Sequence, residues 1–360
     1  MSQRSPLRVH GAPDLEEIRR FGRSPGDVLD FSTNLNPAGP APAVRRALAQ
    51  ADPVPYPDAQ GAMVKRALAA HLGVQPALVA LGAGAAALLW DLARVLLRPG
   101  ARAVLEAPGF AELPAAAAAS GAELTFVRGG GPADVAGVEA LIRAARESQA
   151  NLVALSWPSS PAGTLRPAED IDALARALPT TPILVDEAFL SLSRGWEERA
   201  RVFPGHVIRV RSLTKDHALA GVRVAYLLGA PDLVDTLEAQ RPPWSVSSYA
   251  LAAARATLAA DEHVAESRAR VLAWRDALDA RLRSLGLRPE PSSTLYGIVD
   301  VRPLGLEDAA SLRATLLRRD GILVRDCASF GLPHHIRLCA RPPADQERLS
   351  AALDAVRRPR

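Results

Sequence analysis

The sequence predicts an α/β fold: a large domain on a mainly parallel sheet flanked by helices, followed by a smaller α+β domain. Three observations predict it. From about residue 58 to 240, apolar strand-like runs alternate with segments of helical period, which is the pattern of crossover units. Past Pro242–Pro243 the texture changes, and a long helical stretch leads into short strands. The chain has 360 residues, enough for two domains or for one large domain with a satellite.

The elements follow in order. The first 40 residues are loop-rich and are expected to pack on the small domain. "AQGAMVKRALAAHLG" predicts a helix, "ALVAL" a strand, "GAGA" a turn and "AALLWDLARVLL" a second helix. "ARAVLEAP" predicts a strand, and "GFAELPAAAAASG" a helix broken by Pro114. "AELTFVR", "NLVALSW", "PILVDEAF", "HVIRVRS" and "RVAYLLG" predict strands. "DVAGVEALIRAARES", "AEDIDALARAL" and "DLVDTLEAQ" predict the helices between or after them. Beyond them one helix is expected over about 247–285. Strands "LYGIVDV", "GILVRD" and "HIRLCA" follow, with helices "AASLRATLLRRD" and "ADQERLSAALDAVRR". The expected division is 1–40 as N-terminal segment, 41–242 as large domain and 243–360 as small domain.

Composition excludes several classes of function. Hydrophobic residues make up 48% of the chain, enough for a sizeable core, and the formal charge is only +4. Arginines alternate with acids, as in "DALDARLRSLGLR", and no basic block suits nucleic acid. Cys327 and Cys339, the only cysteines, lack the spacing of a zinc site or a disulfide framework. The start "MSQRSPLRVHGAPDLEE" has no apolar signal-peptide core. "AGAAALLWDLARVLL" is interrupted by Asp91 and Arg94 and is too short to span a bilayer. A soluble, reducing, cytoplasmic setting is expected, without membrane or metal.

The basic residues carry a further signal. Of 43 lysines and arginines, only Lys65 and Lys215 are lysine. Arginine stays protonated and forms no Schiff base, whereas lysine can lose its proton and attack a carbonyl. Lys65 sits in a helical pattern and reads as an ordinary solvated position. Lys215 follows the strand-like "HVIRVRSL", and strand ends are where open α/β sheets hold their chemistry.

Three features fall at the ends of predicted strands. Gly82–Ala83–Gly84 opens a helix, whose free N–H groups suit a phosphate. Asp186 ends the apolar run "ILVD", where a carboxylate is costly unless something positive or hydrogen-bonding faces it; an Asp capping a turn is the plainer reading. Ser212 and Arg223 flank Lys215 and suit a phosphate clamp. An amine for an aldehyde, a carboxylate for a ring nitrogen and a clamp for a phosphate together match pyridoxal 5'-phosphate. Lys215 is then also the natural proton shuttle.

"SLTK" followed by "LAGVR" and preceded by "VDEAF" resembles the fold-type I pyridoxal-phosphate enzymes of aminotransferase class I/II. The similarity is closer to the branch containing histidinol-phosphate aminotransferase and threonine-phosphate decarboxylase. It extends over "HGA", "DFSTNLNPAGP", "YPD", "RPPWSVS", "GILVRDCASFGLP" and "HIRLCAR". The resemblance implies Lys215 as the Schiff-base lysine and Asp186 as partner of the pyridine nitrogen. It implies Ser212, Arg223 and the backbone of Gly82, Ala83, Gly84 and Ala85 around the phosphate, with Phe110 stacked on the ring. Arg337 would grip the substrate carboxylate, Asn34 would line the entrance, and Arg325 would serve a substrate phosphate. Tyr56 would reach the phosphate of a second subunit, which implies a homodimer.

Some positions depart from the family's pattern. "WPSSPAG" has Ser160 where an Asn usually bonds the ring hydroxyl, and Trp157 where another Asn is common. Phe189 stands where many relatives have Tyr, and "GAGAAA" replaces a more polar phosphate loop. Each lost hydrogen bond to a charged group costs about 1.5–3 kcal/mol, so a catalytically weak descendant is one alternative. The main expectation is an aminotransferase acting on a small amino acid or a phosphorylated amine. "RPPWSVS" and "VRDCASF" look more like the decarboxylase of cobalamin biosynthesis, and the same lysine and ring would serve that lyase chemistry. From another class, "GAGAAA" with Glu106 about twenty residues on satisfies a loose dinucleotide fingerprint, as in an NAD-dependent dehydrogenase.

Overall fold

The computed structural model describes residues 13–357; His10–Gly11–Ala12, part of the quoted resemblance, lies outside them. The chain divides into two compact units. One comprises residues 35–160 and 164–269; the other comprises the remaining N-terminal residues, 161–163 and 270 onward.

The first strand, β1 (Leu29–Asp30), belongs to the second unit. The first unit holds β2 (Val79–Gly82), β3 (Arg102–Ala107), β4 (Glu123–Arg128) and β5 (Leu152–Ser156), then β6 (Ile183–Asp186), β7 (Val207–Ser212) and β8 (Ala225–Leu228). They form one seven-stranded sheet in the order β2-β8-β7-β6-β5-β3-β4. All neighbours are parallel except at β8, which runs antiparallel to both β2 and β7. Central strands buried on both faces read as continuous apolar runs, and "NLVALS" and "PILVD" are such runs. On one face, Leu88, Leu89 and Leu92 of helix Ala85–Leu96 pack on Ile208, Val210 and Leu227. On the other, Ile171 and Leu174 of helix Ala168–Ala177 pack with Val104, Val153 and Val185.

The second unit adds β9 (Tyr296–Asp300), β10 (Ile322–Leu323), β11 (Arg325–Cys327) and β12 (Leu332–Cys339). β11-β12-β9 is an antiparallel sheet, and β1 pairs in parallel with β10. Leu312 and Leu316 of helix Ala309–Asp320 and Leu349 and Leu353 of helix Pro343–Arg357 share a core with Val299, Ile336 and Leu338. The N-terminal residues of this unit are tied down by charge. Arg313 is paired with Glu17, and Arg23 donates to the carbonyls of Arg318 and Arg319 at 2.8 Å each, which satisfies acceptors at a helix C-terminus.

Several expectations need correction. Pro114 does not break its helix: Glu112–Ala119 runs through it, because a proline in the first turn forfeits only an N–H that has no intrahelical partner. The stretch 247–285 is two helices, Ser248–Thr257 and Asp261–Ser284. "GILVRD" divides at Val324 into β10 and β11, each with a different partner. Lys65 is not solvated. Its Nζ lies 2.6 Å from Glu238 Oε1, and both side chains are nearly covered. No helix among the described residues is long and apolar enough to cross a membrane.

Candidate active site

The register of β2, β8 and β7 explains how distant residues meet. Gly82 and Ser212 both pair with Ala225, from opposite sides, so they flank it at about one strand spacing, ~4.8 Å, each. One strand further, Asp186 is the partner of Val210 on β7 and of Ser156 on β5. The carboxyl ends of β2, β5, β6 and β7 therefore carry Gly82, Ser156, Asp186 and Ser212 on one rim of one sheet.

At the β2 end the chain turns sharply. Gly84 N–H donates to Gly82 O at 2.8 Å, and Gly84 adopts φ +89°, ψ 160°, a region open essentially to glycine alone. It is the N-cap of helix Ala85–Leu96 and has no side chain to cap it. A β-carbon on Gly84 would stand 2.5 Å from an Arg223 guanidinium nitrogen. The guanidinium thus lies against the helix start that includes Ala83 and Ala85. Two positive elements converge there, the helix N-terminus and Arg223, as an anion site requires. Arg223 itself has φ +64° and Ala218 φ +53°, so the loop from β7 to β8 holds two non-glycine residues in the left-handed region.

Lys215 lies in the four-residue helix Leu213–Asp216, capped by Ser212, whose Oγ accepts from Thr214 N–H at 3.2 Å. Lys215 is partly buried, with Nζ 5.6 Å from the centroid of the Phe189 ring. Asp186 is partly accessible at its surface yet deeply surrounded by protein. Burial pushes its pKa up to about 6, although the Ala188 N–H and the Lys215 charge both pull it down. The Ala188 bond is 3.0 Å. Lys215 and Asp186 are thus electrostatic neighbours, one amine and one carboxylate on one rim.

The other expected residues of this unit are dispersed around it. Ser160 is buried. Phe110 is partly buried and packs against the core beneath helix Ala85–Leu96. Trp157 is fully buried and donates to Arg166 O at 2.9 Å, so it serves the core. Tyr56 is 79% exposed, its ring centroid 4.6 Å from that of Trp244. Glu106, the acid that a dinucleotide fingerprint would place on a ribose, is instead buried against Arg166 and accepts from Ala136 N–H. A cavity of about 810 Å³ opens on the Arg209–Arg211 side of β7, lined by Tyr226, His217 and Arg268. Lys215 does not line it, and Glu187 pairs with both Arg209 and Arg211.

In the second unit, Arg325 and Arg337 are direct partners across β11 and β12. Their guanidinium carbons stand 5.5 and 5.9 Å from the Phe330 ring centroid. Both are buried. Burial and the Arg337 charge each lower the Arg325 pKa, while Asp326 raises it. Arg337 Nη2 lies 3.5 Å from Ser32 O, and Arg275 fixes the next residue by donating to Leu338 O at 3.2 Å. Asn34 is 3% exposed, and neither its Oδ1 nor its Nδ2 has a partner. A buried amide with both ends unmet is costly.

Sequence reasoning did not single out Asn36, which bonds the Lys215 turn, or Glu187, whose carboxylate pins both arginines of β7. The sequence "NLNP" showed two asparagines without showing that the second is structural. The adjacency of Glu187 to Asp186 concealed that alternate strand-end residues face opposite sides.

A sheet with one reversed strand, chemistry gathered at its carboxyl ends and a separate α+β unit is the architecture of the pyridoxal-phosphate transferases. The family described as aminotransferase class I and II matches residues 26–356, and the chain belongs to it. It is a pyridoxal-phosphate-dependent aminotransferase. It is 34% identical over 368 aligned residues to histidinol-phosphate aminotransferase 2 of Pseudomonas fluorescens, covering 99% of this chain and 96% of the relative. Histidinol-phosphate aminotransferase of Sinorhizobium meliloti, solved with pyridoxal-5'-phosphate, superposes with a TM-score of 0.86 at 29% identity, covering 99% and 98% of the two chains. L-threonine-O-3-phosphate decarboxylase of Porphyromonas gingivalis shares the fold, with a TM-score of 0.80 at 21% identity, covering 91% and 99%.

Proposed function

We propose that this enzyme transfers the amino group of histidinol phosphate to 2-oxoglutarate, with Lys215 as the covalent anchor of pyridoxal phosphate. Two features of the structure suit that cofactor. Asp186 keeps a pKa of about 6 despite an N–H donor and a nearby amine, so a cationic ring nitrogen is the partner that would restore its ionised form. Arg223 and the start of helix Ala85–Leu96 converge where a phosphate needs charge and N–H groups.

In this reading, Ser212, Arg223 and the backbone of Gly82, Ala83, Gly84 and Ala85 hold the phosphate. Phe110 covers the ring, Ser160 serves the ring oxygen and Phe189 packs beside Lys215. The cofactor, when bound, supplies an electron sink that makes the substrate's Cα proton labile. Lys215 Nζ would accept that proton and return it two bonds away, on the far side of the substrate nitrogen.

The observation that carries the substrate assignment is the opposed pair Arg325 and Arg337, buried around Phe330. Two buried guanidinium groups side by side repel, Asp326 at 3.5 Å from Arg325 offsets only one of the two charges, and a phosphate with two charges complements the pair better than one carboxylate. Asn34, its amide unmet, supplies polar contacts for the same substrate. The exposed Val54, Tyr56 and Trp244 form an apolar patch that a second copy of the chain would cover in a homodimer, with Tyr56 reaching the partner's phosphate. A cytoplasmic location completes the proposal.

Product analysis tests it. The purified protein is given histidinol phosphate with 2-oxoglutarate and, separately, O-phosphothreonine. Glutamate and the keto phosphate from the first are expected. Carbon dioxide from the second, without transamination of the first, would replace this reading by the threonine-phosphate decarboxylase of cobalamin biosynthesis.

A further inference from the structure

The turn that carries Lys215 is held by a residue far away in sequence. Helix Leu213–Asp216 is one turn long, and such a helix leaves its last carbonyls without intrahelical donors. Asn36 supplies them. Its backbone N–H donates to Lys215 O at 3.0 Å, and its side-chain Nδ2 donates to Asp216 O at 2.8 Å across 180 residues of sequence. Its Oδ1 accepts from Ala38 N–H at 3.0 Å, and its carbonyl accepts from Gly39 N–H at 3.1 Å. Asn36 is 2% exposed, so no water competes for these groups. Pro37 disfavours the helical region for Asn36.

We infer that Asn36 is a positioning residue for Lys215: it caps the lysine turn from outside and fixes where the amine stands. The residue type follows from the bonds. Asp at this position has no donor for Asp216 O and adds a buried charge; Ala has neither donor nor acceptor. Other bonds hold its first half: Thr214 Oγ1 donates to Val224 O at 3.3 Å. Ser212 caps its start, and Leu219 N–H bonds Thr214 O at 2.9 Å, but the carbonyls on the lysine side rest on Asn36. Loosening this end moves the amine relative to Asp186 and Arg223 without removing any group that touches cofactor or substrate.

The inference rests on the reading that Lys215 carries the cofactor, and its test separates the two. The long-wavelength absorbance of the pyridoxal-phosphate-loaded protein is titrated against pH for wild type, Asn36→Ala and Asn36→Asp. Gln346→Ala serves as control, because Gln346 is equally buried and also donates to two backbone carbonyls, those of Trp274 and Arg341. The expected result is a titration midpoint displaced by about half a pH unit or more in Asn36→Ala. Asn36→Asp should move the midpoint upward, since an added negative charge favours the protonated form. Turnover in Asn36→Ala should fall by about tenfold to a hundredfold, the scale of small positional errors, with KM for the amino donor within about twofold. Gln346→Ala should lower the melting temperature and leave the midpoint alone. If Asn36→Ala loses only thermal stability, as the control does, Asn36 is merely structural and the inference fails. If the wild-type band survives Lys215→Ala, the proposed function fails first and takes the inference with it.

Discussion

Gly84 and Arg223 are fitted to each other: a β-carbon on the glycine would come within 2.5 Å of the arginine's guanidinium nitrogen. Gly84→Ala therefore acts twice, by displacing Arg223 and by straining a backbone at φ +89°. Affinity for pyridoxal phosphate should fall by about tenfold to a hundredfold, the worth of one charge-assisted contact. Absorbance titration of cofactor-free protein with pyridoxal phosphate measures this, and unchanged affinity would remove Arg223 from the phosphate site.

Asp186 sets a pH dependence whose sign is opposite to that of most carboxylates. Its pKa is raised from 3.8 to about 6 by burial, so the native state binds the proton more tightly than the unfolded chain. That contribution to stability is present below about pH 4 and is lost as pH rises through about 6. In cofactor-free protein, Asp186→Asn should be more stable than wild type at pH 7.5 by about 1–3 kcal/mol, and the gain should vanish near pH 4. Urea unfolding at the two pH values measures it. In the same variant, affinity for pyridoxal phosphate should drop, because the ring nitrogen loses its counter-charge.

The arginine pair makes a prediction about charge. Arg325→Met and Arg337→Met should each raise KM for histidinol phosphate by about tenfold to a hundredfold. Histidinol without its phosphate should be turned over equally poorly by wild type and by Arg325→Met. Initial-rate kinetics with both donors provide the check. Equal losses on the two donors would detach Arg325 from the phosphate.

Lys65 has a structural task. Its partly buried pair with Glu238 joins helix Ala62–Leu72 to helix Pro231–Gln240. Lys65→Ala leaves Glu238 partly buried without its partner, so unfolding free energy should fall by about 1–3 kcal/mol. The absorbance of the cofactor-loaded protein should be unchanged.

The parts of this fold legible in the sequence are those written in short range. The apolar runs ending at Asp186 and Ser212 marked strand ends, because a buried parallel strand needs unbroken hydrophobicity and its end is where polar residues return. Gly82–Ala83–Gly84 marked a close turn for the same local reason. What was hidden depended on partners. The reversal of β8 lies in its pairing, since "RVAYLLG" reads alike in either direction. Lys65 reads as a surface cation until Glu238, 173 residues on, is placed beside it. Asn36 and Asn34 are two residues apart and alike in type, yet one is fully bonded and the other has both amide atoms unmet. No local pattern distinguishes them. The opposition of Arg325 and Arg337 likewise required the register of β11 on β12.

The central claim is that the amine at position 215 forms the covalent link to pyridoxal phosphate, and a chain with two lysines allows a direct measurement. Protein loaded with pyridoxal phosphate is reduced with borohydride and digested, and the pyridoxyl group is located by peptide mass spectrometry. The account predicts the modification on Lys215 and none on Lys65. A modification on Lys65, or an unmodified Lys215 in protein that binds the cofactor, would contradict it.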